Sequence, residues 1–400
     1  MLSLRDPVHG FIRADRLEST LIASRPFQRL RGIRQLGFAN LVFPGAEHSR
    51  FSHALGAMEL AGRVYDSLAR KDAERFPPDA RARGRRLVRA AALLHDVGHA
   101  PFSHSAEDLF EQGIDHEQMT TRLLTLPEIE AAFERFGEGL EAREVRELLA
   151  SRAVGSDRVL GQVVSGELDV DKMDYLLRDS LFCGVRYGHF DLERVLDTLA
   201  PLEDVEREVW GLGVEEGGVH AVEGLVLARY YMFTQVYFNV IGKAMELHLA
   251  AWMRATGLRW PADPEAFLAQ DDTTAWTQLR ASNDLHARAL VDREQFPLAF
   301  ETREHMSPEE KAAFETLLPE LRERFPDLPL LISNASKDPH RLGRSRVLAR
   351  LADGTREPLA STSQFMRHLA RIERYRVYAP RPQRSEVATF LRDRWMQSAD

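Results

Sequence analysis

Hydrophobic residues recur along most of this chain at the spacing of α-helices. Residues 54–71 (ALGAMELAGRVYDSLARK) have helical period, and residues 87–100 (LVRAAALLHDVGHA) are apolar on nearly all sides. The second pattern predicts a helix buried inside a large core. Residues 221–256 form another long apolar pattern, which predicts a further central helix.

Other segments break the helical pattern. The turn residues of DPVHGF near the N-terminus suit a small hairpin, and residues 206–220 predict a second hairpin turning at Glu-Gly-Gly. The polar residues 71–86 predict a surface loop. Beyond residue 325, short apolar runs predict strands, two of them joined by an Ala-Asp-Gly turn. We therefore predict an all-α body over residues 1–325 and a small α+β region over residues 326–400.

Composition limits the classes of function. The net charge is -8, so no global positive field attracts nucleic acid or anionic lipid. The single cysteine, Cys183, excludes an internal disulfide and thiolate-rich zinc sites. The N-terminus lacks the apolar run of a signal peptide and no window reaches membrane-spanning length, which predicts a cytoplasmic protein without a membrane partner.

The motif HDVGH at residues 95–99 is the strongest local signal for chemistry. His95 and Asp96 end the buried apolar helix, where an unpaired carboxylate is unfavourable unless a cation compensates it. A divalent metal ion with His and Asp ligands meets that need and leaves positions for water and a phosphate oxygen. His53 and Asp171 are candidates for the remaining ligands, although each alone also fits a helix cap or a solvated carboxylate.

More imidazoles follow the same helix. His104 and His116 lie outside apolar runs and are candidates for proton transfer, and Glu107 could orient one of them. His99 fits equally well as a simple contact of the residue one helical turn before it.

Six blocks of this sequence, in order, resemble the HD-domain deoxynucleoside triphosphate triphosphohydrolases, a family with bacterial members. The resemblance covers residues 1 to about 260. Its six blocks are residues 27–37, 42–56, 95–104, 116–118, 169–179 and 229–237. The resemblance implies a helical HD-domain core and one divalent metal ion per subunit, which could be Mn, Mg, Fe, Ni or Zn.

The resemblance also implies site residues, position by position. The metal ligands would be His53, His95, Asp96 and Asp171. The catalytic residues would be His104, Glu107, His116 and Arg50, with Arg50 on the α-phosphate. The nucleoside would contact Gln35, Leu36, Tyr175, Asp179 and Tyr237. Without the resemblance, we would expect Arg50 to be an exposed surface charge. We would expect Tyr175 and Tyr237 to pack in the core.

One position departs from the family pattern. Members commonly carry a His-Lys pair after the last tyrosine that contacts the triphosphate, whereas this chain has Asn239 and Val240. Lys243 lies one helical turn further on and is a candidate substitute.

The resemblance implies hydrolysis of a deoxynucleoside triphosphate to a deoxynucleoside and inorganic triphosphate. The departure at Asn239 leaves two alternatives: an HD-type nucleotidase or phosphodiesterase acting on another nucleotide, or a nucleotide-sensing protein without turnover. Relatives assemble as dimers of dimers with nucleotides at regulatory sites, so we expect a homo-dimer or homo-tetramer. The segments that would carry an effector contain Asp6, Val8, Gln28 and Arg31.

Overall fold

The N-terminal segment forms the predicted hairpin. In the computed structural model, which describes residues 1–150, 156–338, 340 and 347–398, β1 (Leu2–Asp6) pairs antiparallel with β2 (Gly10–Ala14). Asp6 Oδ1 accepts hydrogen bonds from the amides of Val8 and His9, both at 2.9 Å. Gly10 has φ +77, a conformation that favours glycine, so the turn closes without strain.

Helices make up most of the first 300 residues. In chain order they are α1 (Arg16–Ala23), α2 (Arg25–Arg29), α3 (Arg50–Lys71), α4 (Arg81–Leu94), α5 (His116–Leu123), α6 (Pro127–Phe136), α7 (Ala142–Leu149), α8 (Ser156–Val164), α9 (Val170–Cys183), α10 (Leu192–Thr198), α11 (Val219–Met232), α12 (Val240–Thr256), α13 (Pro264–Leu268), α14 (Asp272–Ala281) and α15 (Leu285–Val291). Among the described helices, none combines the length and the apolar character needed to cross a bilayer. The predicted all-α body is confirmed.

The centre of this body is formed by α3, α4 and α9. Every residue of α4 from Leu87 to Leu94 is buried, as its nearly uniformly apolar sequence predicts; the exception in type, Arg89, is buried through its ion pair with Glu18 at 2.5 Å. α3 packs against both α4 and α9. Its small residues allow this close approach: a Cβ added at Gly56 would overlap the side chains of Asp174 and Arg178 on α9.

The predicted loop over residues 71–86 is too long. α3 extends to Lys71 and α4 already begins at Arg81, so the loop covers only residues 72–80. Tertiary ion pairs hold the arginine-rich first turns of α4: Arg83 with Glu144 at 2.5 Å, Arg85 with Asp66 at 2.9 Å and Arg86 with Asp15 at 3.1 Å. These partners lie far away in the sequence, so local composition could not reveal the helix.

The predicted single helix over residues 221–256 is interrupted. α11 ends at Met232, residues Phe233–Tyr237 form a π-helical turn, and α12 begins after Asn239. Asn239 accepts hydrogen bonds from the amides of Ile241 and Gly242 through its side chain, so it caps α12. This break lies beside the pocket described below.

The second predicted hairpin exists, but its turn was placed wrongly. β3 (Leu199–Asp204) pairs with β4 (Val209–Glu215), and the chain turns over residues 205–208. The Glu-Gly-Gly segment instead forms a 3-10 turn that leads into α11. A β-hairpin of β7 (Leu348–Arg350) and β8 (Arg356–Pro358) extends this sheet, because β7 pairs in parallel with β4.

The C-terminal part contains the predicted mixture of strands and helices. β9 (Ile372–Tyr378) lies between β5 (Leu298–Glu301) and β6 (Leu331–Lys337). The helices are α16 (Pro308–Arg324), α17 (Leu359–Thr362), α18 (Gln364–His368) and α19 (Arg384–Ser398). A separate apolar cluster joins α16, β9 and α19 and includes Phe314 and Leu321. The boundary between residues 325 and 326 stays a prediction.

Candidate metal centre and active site

Two histidines, His53 fully buried and His95 half-buried, direct nitrogen atoms at one point next to α9. Nδ1 of His53 donates to Asp174 at 2.7 Å, and Nδ1 of His95 donates to the carbonyl of Ala92 at 2.8 Å. In the neutral form of each ring, as in a metal ligand, these bonds place the lone pair on Nε2. Both Nε2 atoms are buried and lack a hydrogen-bond partner among the described residues. Orphaned imidazole nitrogens of this kind fit metal ligation.

Carboxylates complete this group of side chains. Asp171 Oδ1 lies 3.0 Å from Nε2 of His53 and 3.6 Å from Nε2 of His95. Asp96 approaches the same atoms, with its oxygens 3.7 Å from Nε2 of His53 and 3.3 Å from Nε2 of His95. His53, His95 and Asp171 bring their ligand atoms within 4.8 Å of one another. The four predicted ligands, hereafter the metal-ligand group, therefore converge.

The electrostatics of the metal-ligand group favour a cation. Burial alone would lower the pKa of His53, but the neighbouring carboxylates of Asp171 and Asp174 raise it to about 10. Burial would raise the pKa of Asp96, yet Arg50 and His95 hold it well below its usual range. The site therefore keeps its acids ionised and attracts positive charge, which a divalent ion would supply when bound to these residues.

A buried network of ion pairs and hydrogen bonds lies behind the metal-ligand group, and the sequence did not predict it. Asp174 accepts hydrogen bonds from Arg178 at 2.8 and 2.9 Å and contacts Nε2 of His9 at 2.6 Å. Arg178 in turn donates to Asp6 at 2.8 Å. Asp174 and Arg178 are four residues apart, which predicts only a helix-surface pair. The buried partners come from the N-terminal hairpin, so only the tertiary structure reveals the network.

Arg50 lies inside the site, not on the surface. It is buried, with Nη1 2.5 Å from Asp96 and Nε donating to Ser103 at 2.9 Å. The alternative of a surface charge is thus excluded. Its guanidinium is held at the edge of the metal-ligand group, where a phosphate oxygen would need a donor.

A second cluster consists of His99, His104 and His116, which together with Glu107 we call the histidine group. Glu107 contacts Nδ1 of His104 at 2.7 Å and also forms a hydrogen bond with Nδ1 of His116. Both rings therefore carry the lone pair on Nε2. Burial and the nearby His104 lower the pKa of His116 to about 4, so it is neutral near pH 7. His99 contacts Asp96 at 3.2 Å, the contact with a residue one turn back that its position suggested.

The predicted nucleoside contacts also come together. Asp179 is buried, with one oxygen 2.8 Å from Nε2 of His48 and the other accepting from the hydroxyl of Tyr237 at 2.7 Å. The rings of Tyr175 and Tyr237 meet edge to face at 6.1 Å. Gln35 is buried and its Oε1 has no partner among the described residues, which leaves an acceptor for a ligand.

One cavity connects these side chains. Its volume is about 1320 Å³, and its lining includes Gln35, Leu36, Arg50, His95, Asp96, His104, His116, Asp171, Tyr175, Asp179 and Tyr237. His53 lies beneath it, fully buried. Further cationic side chains also line the cavity, among them Lys172, Arg229, Lys243 and Lys337. Of these four, the sequence had suggested only Lys243.

The expected effector segments show mixed exposure. Asp6 is buried and accepts a hydrogen bond from Arg178. Arg31 is exposed, and its guanidinium lies 3.5 Å from the ring centroid of Phe51. Gln28 donates to the carbonyl of Ile22 at 2.6 Å. Asp6 therefore already has a structural partner. Effector binding at Val8, Gln28 and Arg31 stays a prediction.

Comparison with protein families agrees with this geometry. Residues 50–179 match the HD domain, and residues 190–302 match the HD associated region. All four members of the metal-ligand group fall within the first match. The chain therefore contains an HD domain followed by the HD associated region.

Curated relatives are similar over about 60% of this chain. The uncharacterized protein YwfO of Bacillus subtilis is 41% identical over 61% of the chain and 53% of its own length. A Dictyostelium discoideum protein named deoxynucleoside triphosphate triphosphohydrolase SAMHD1 homolog is 29% identical over 62% of the chain and 48% of its own length. This chain thus spans about half the length of the curated relatives it matches.

Solved structures match the whole chain. A hypothetical protein from Aquifex aeolicus has a TM-score of 0.82 at 28% identity and covers 98% of this chain and 99% of its own. A phosphohydrolase from Bacteroides thetaiotaomicron has a TM-score of 0.73 at 26% identity, covering 95% of this chain and 100% of its own. The arrangement of the HD domain and the C-terminal part therefore recurs in other proteins.

Proposed function

We propose that this protein is a metal-dependent phosphohydrolase that converts deoxynucleoside triphosphates to deoxynucleosides and inorganic triphosphate. The observation that carries the proposal is that His95, Asp96 and Asp171 of the metal-ligand group, Arg50, the three histidines of the histidine group and the Tyr237–Asp179 pair border one cavity. The named activity of the Dictyostelium relative supports the substrate class.

His53, His95, Asp96 and Asp171 would hold one divalent ion. When bound, such an ion supplies Lewis-acid polarisation of the phosphate ester. Arg50 would donate to an oxygen of the same phosphate and stabilise the negative charge that develops there. Its buried contact with Asp96 keeps the guanidinium in place before substrate arrives.

The histidine group would move the proton. Water attacks the α-phosphorus, the bond from phosphorus to the 5′-oxygen breaks, and a proton passes from the water to the leaving oxygen. His116 is neutral near pH 7 with Nε2 free of Glu107, so it can accept that proton, and His104 on the same carboxylate can assist.

The walls of the cavity would select a deoxyribose. Gln35 and Asp179 offer oxygen acceptors for the 3′-hydroxyl, and Leu36 borders the same space. Tyr175 and Tyr237, whose rings meet edge to face in the cavity wall, would exclude a 2′-hydroxyl by steric contact. Lysine and arginine side chains in the lining, among them Lys172, Arg229 and Lys337, would supply positive charge for a polyphosphate. Lys243 lies near the departure at Asn239 and is paired with Glu246 at 2.8 Å.

The direct test is a panel of the four deoxynucleoside triphosphates with Mn²⁺ or Mg²⁺, monitored for inorganic triphosphate. We expect release of triphosphate together with deoxynucleoside. Absence of turnover for every dNTP, including mixtures that could act as effectors, would count against the proposal. Release of phosphate from a deoxynucleoside monophosphate, without hydrolysis of the triphosphates, would instead favour the alternative hypothesis of a nucleotidase, which Asn239 and Val240 suggest.

The assembly belongs to the same proposal. By analogy with the family, we expect a homo-dimer or homo-tetramer with a nucleotide effector. Light scattering with and without dNTPs measures the subunit number, and a mass that does not exceed one chain under both conditions would contradict this expectation.

A further inference from the structure

A short turn next to the metal-ligand group has an unfavourable backbone. Phe102 and Ser103 have φ of +59 and +60, in the left-handed region that side chains with a Cβ rarely adopt. His104 follows directly. Ser103 accepts from Arg50 and donates to the carbonyl of Arg34 at 2.7 Å, so the turn connects Arg50, His104 and the segment before Gln35.

Such a backbone persists only when its surroundings hold it. The strongest restraint comes from Asp272, which is buried at the start of α14, in the HD associated region. Oδ1 of Asp272 accepts from the amide of Phe102 at 2.8 Å, and Oδ2 accepts from the amide of Arg34 at 3.0 Å. One carboxylate thus joins two segments that border the pocket.

Packing supports the same restraint. The ring of Phe102 stacks on Phe38 at 4.6 Å and meets Trp276 of α14 edge to face at 5.5 Å. A Cβ added at Gly37 would lie 2.9 Å from the carbonyl oxygen of Phe102. The two segments therefore touch, and α14 fixes them from the other side.

We propose that Asp272 is a positioning residue: by accepting the amides of Phe102 and Arg34 on its two oxygens, it sets the turn that places His104 and Arg50 and the segment that carries Gln35. Both functions require a carboxylate, because an asparagine has only one acceptor oxygen for two N–H donors. The kinetic part of this proposal rests on the proposed hydrolase function; the structural part does not.

The first experiment compares hydrogen exchange in the full-length protein and in Asp272→Asn. We expect faster exchange in peptides covering residues 33–37 and 99–105, since one of the two amides loses its acceptor, and unchanged exchange in α9. Asp263→Asn is the matched control, because Asp263 caps α13 in the same region through the amide of Ala266. Unchanged exchange at both segments in Asp272→Asn would overturn the proposal.

The second experiment is a double-mutant cycle with His104. We expect Asp272→Asn to lower kcat about 10- to 100-fold, as a small misplacement of a catalytic group does. In the His104→Ala background the same change should lower kcat by a smaller factor, because one of the groups it positions is already gone. An equal loss in both backgrounds would show a general structural effect and overturn the proposal.

Gly37→Ala provides an independent perturbation of the same turn, should Asp272→Asn fold poorly. It should reproduce the exchange increase at residues 99–105 and the dependence on His104. A lack of both effects would contradict the proposal. If no nucleotide is hydrolysed by the wild type, the hydrolase function fails, while the exchange comparison still decides the role of Asp272.

Discussion

Two clusters of imidazoles border the same pocket, and each brings three ligand atoms within 4.8 Å of one another. In the metal-ligand group, Asp96 and Asp171 face the free Nε2 atoms. In the histidine group, Glu107 instead occupies the Nδ1 side of His104 and His116.

The placement of the carboxylates separates the two chemistries. Acids next to the free nitrogens raise the pKa of His53 to about 10, whereas burial and a neighbouring imidazole lower that of His116 to about 4. The first environment favours a bound cation and the second a neutral base. Histidines that look alike in a sequence motif thus differ through their contacts. We expect one divalent ion per chain; two tightly bound ions per chain would place a metal in the histidine group and reverse its assigned role.

Asp171→Asn should have the largest effect. It removes a negative ligand, so the bound metal should fall well below one ion per chain and the rate should drop more than about 10⁴-fold. Elemental analysis and the triphosphate assay measure both. Asp66→Asn, a surface carboxylate paired with Arg85, is the control. If Asp171→Asn retains both the bound metal and the rate, Asp171 is not a metal ligand.

His116→Gln should separate proton transfer from metal binding. We expect the rate to fall about 10²- to 10⁴-fold, the range for loss of a general acid or base, while the metal content stays near one ion per chain. The control is His220→Gln, since the side chain of His220 is 93% exposed. If His116→Gln loses both bound metal and rate, the histidine group takes part in metal binding and the two groups do not have separate roles.

Asp174→Asn tests the support behind the metal. Its charge orients His53 and strengthens it as a ligand, so the change should weaken metal affinity about 10- to 100-fold. Activity should recover largely at saturating Mn²⁺. Titration of the metal-free protein gives the affinity, and an unchanged dissociation constant would argue that His53 needs no partner at Nδ1.

The smallest effect concerns stability at acid pH, at a site away from the pocket. His248 is buried against His286 and the amide of Phe296, and burial lowers its pKa to about 3. As the pH falls below about 6.5, the unfolded chain binds a proton that the folded chain excludes, so stability declines and the decline ends near the folded pKa.

The measurement is urea unfolding at pH 7 and pH 5. Wild type should lose about 2 kcal/mol more than His248→Gln over this interval, since the glutamine does not titrate. Equal losses in the two proteins would mean that His248 gains a proton in the folded state as readily as in the unfolded chain, and that burial does not lower its pKa.

The sequence predicted the elements whose signal is local. The mostly apolar residues 87–94 predicted the burial of the second half of α4, and DPVHGF predicted the N-terminal turn. The end of a buried helix at His95 and Asp96 predicted a site for a compensating cation. The order of the motif blocks, through the family resemblance, added His53 and Asp171 to the metal-ligand group. Local patterns failed for the first turns of α4, where distant residues decided the outcome. The break at Asn239 was also missed, although Asn239 caps α12 through the amides of its near neighbours Ile241 and Gly242.

By itself, then, the sequence determined the helical class, the buried helix that ends in His95 and Asp96, and the residue types available for chemistry. Only the tertiary structure decided which carboxylate faces which imidazole. Asp174 reaches His53, Glu107 joins His104 to His116, and Asp272 joins Phe102 to Arg34. Such pairings depend on the packing of helices far apart in the chain, and the protonation of each group follows from them.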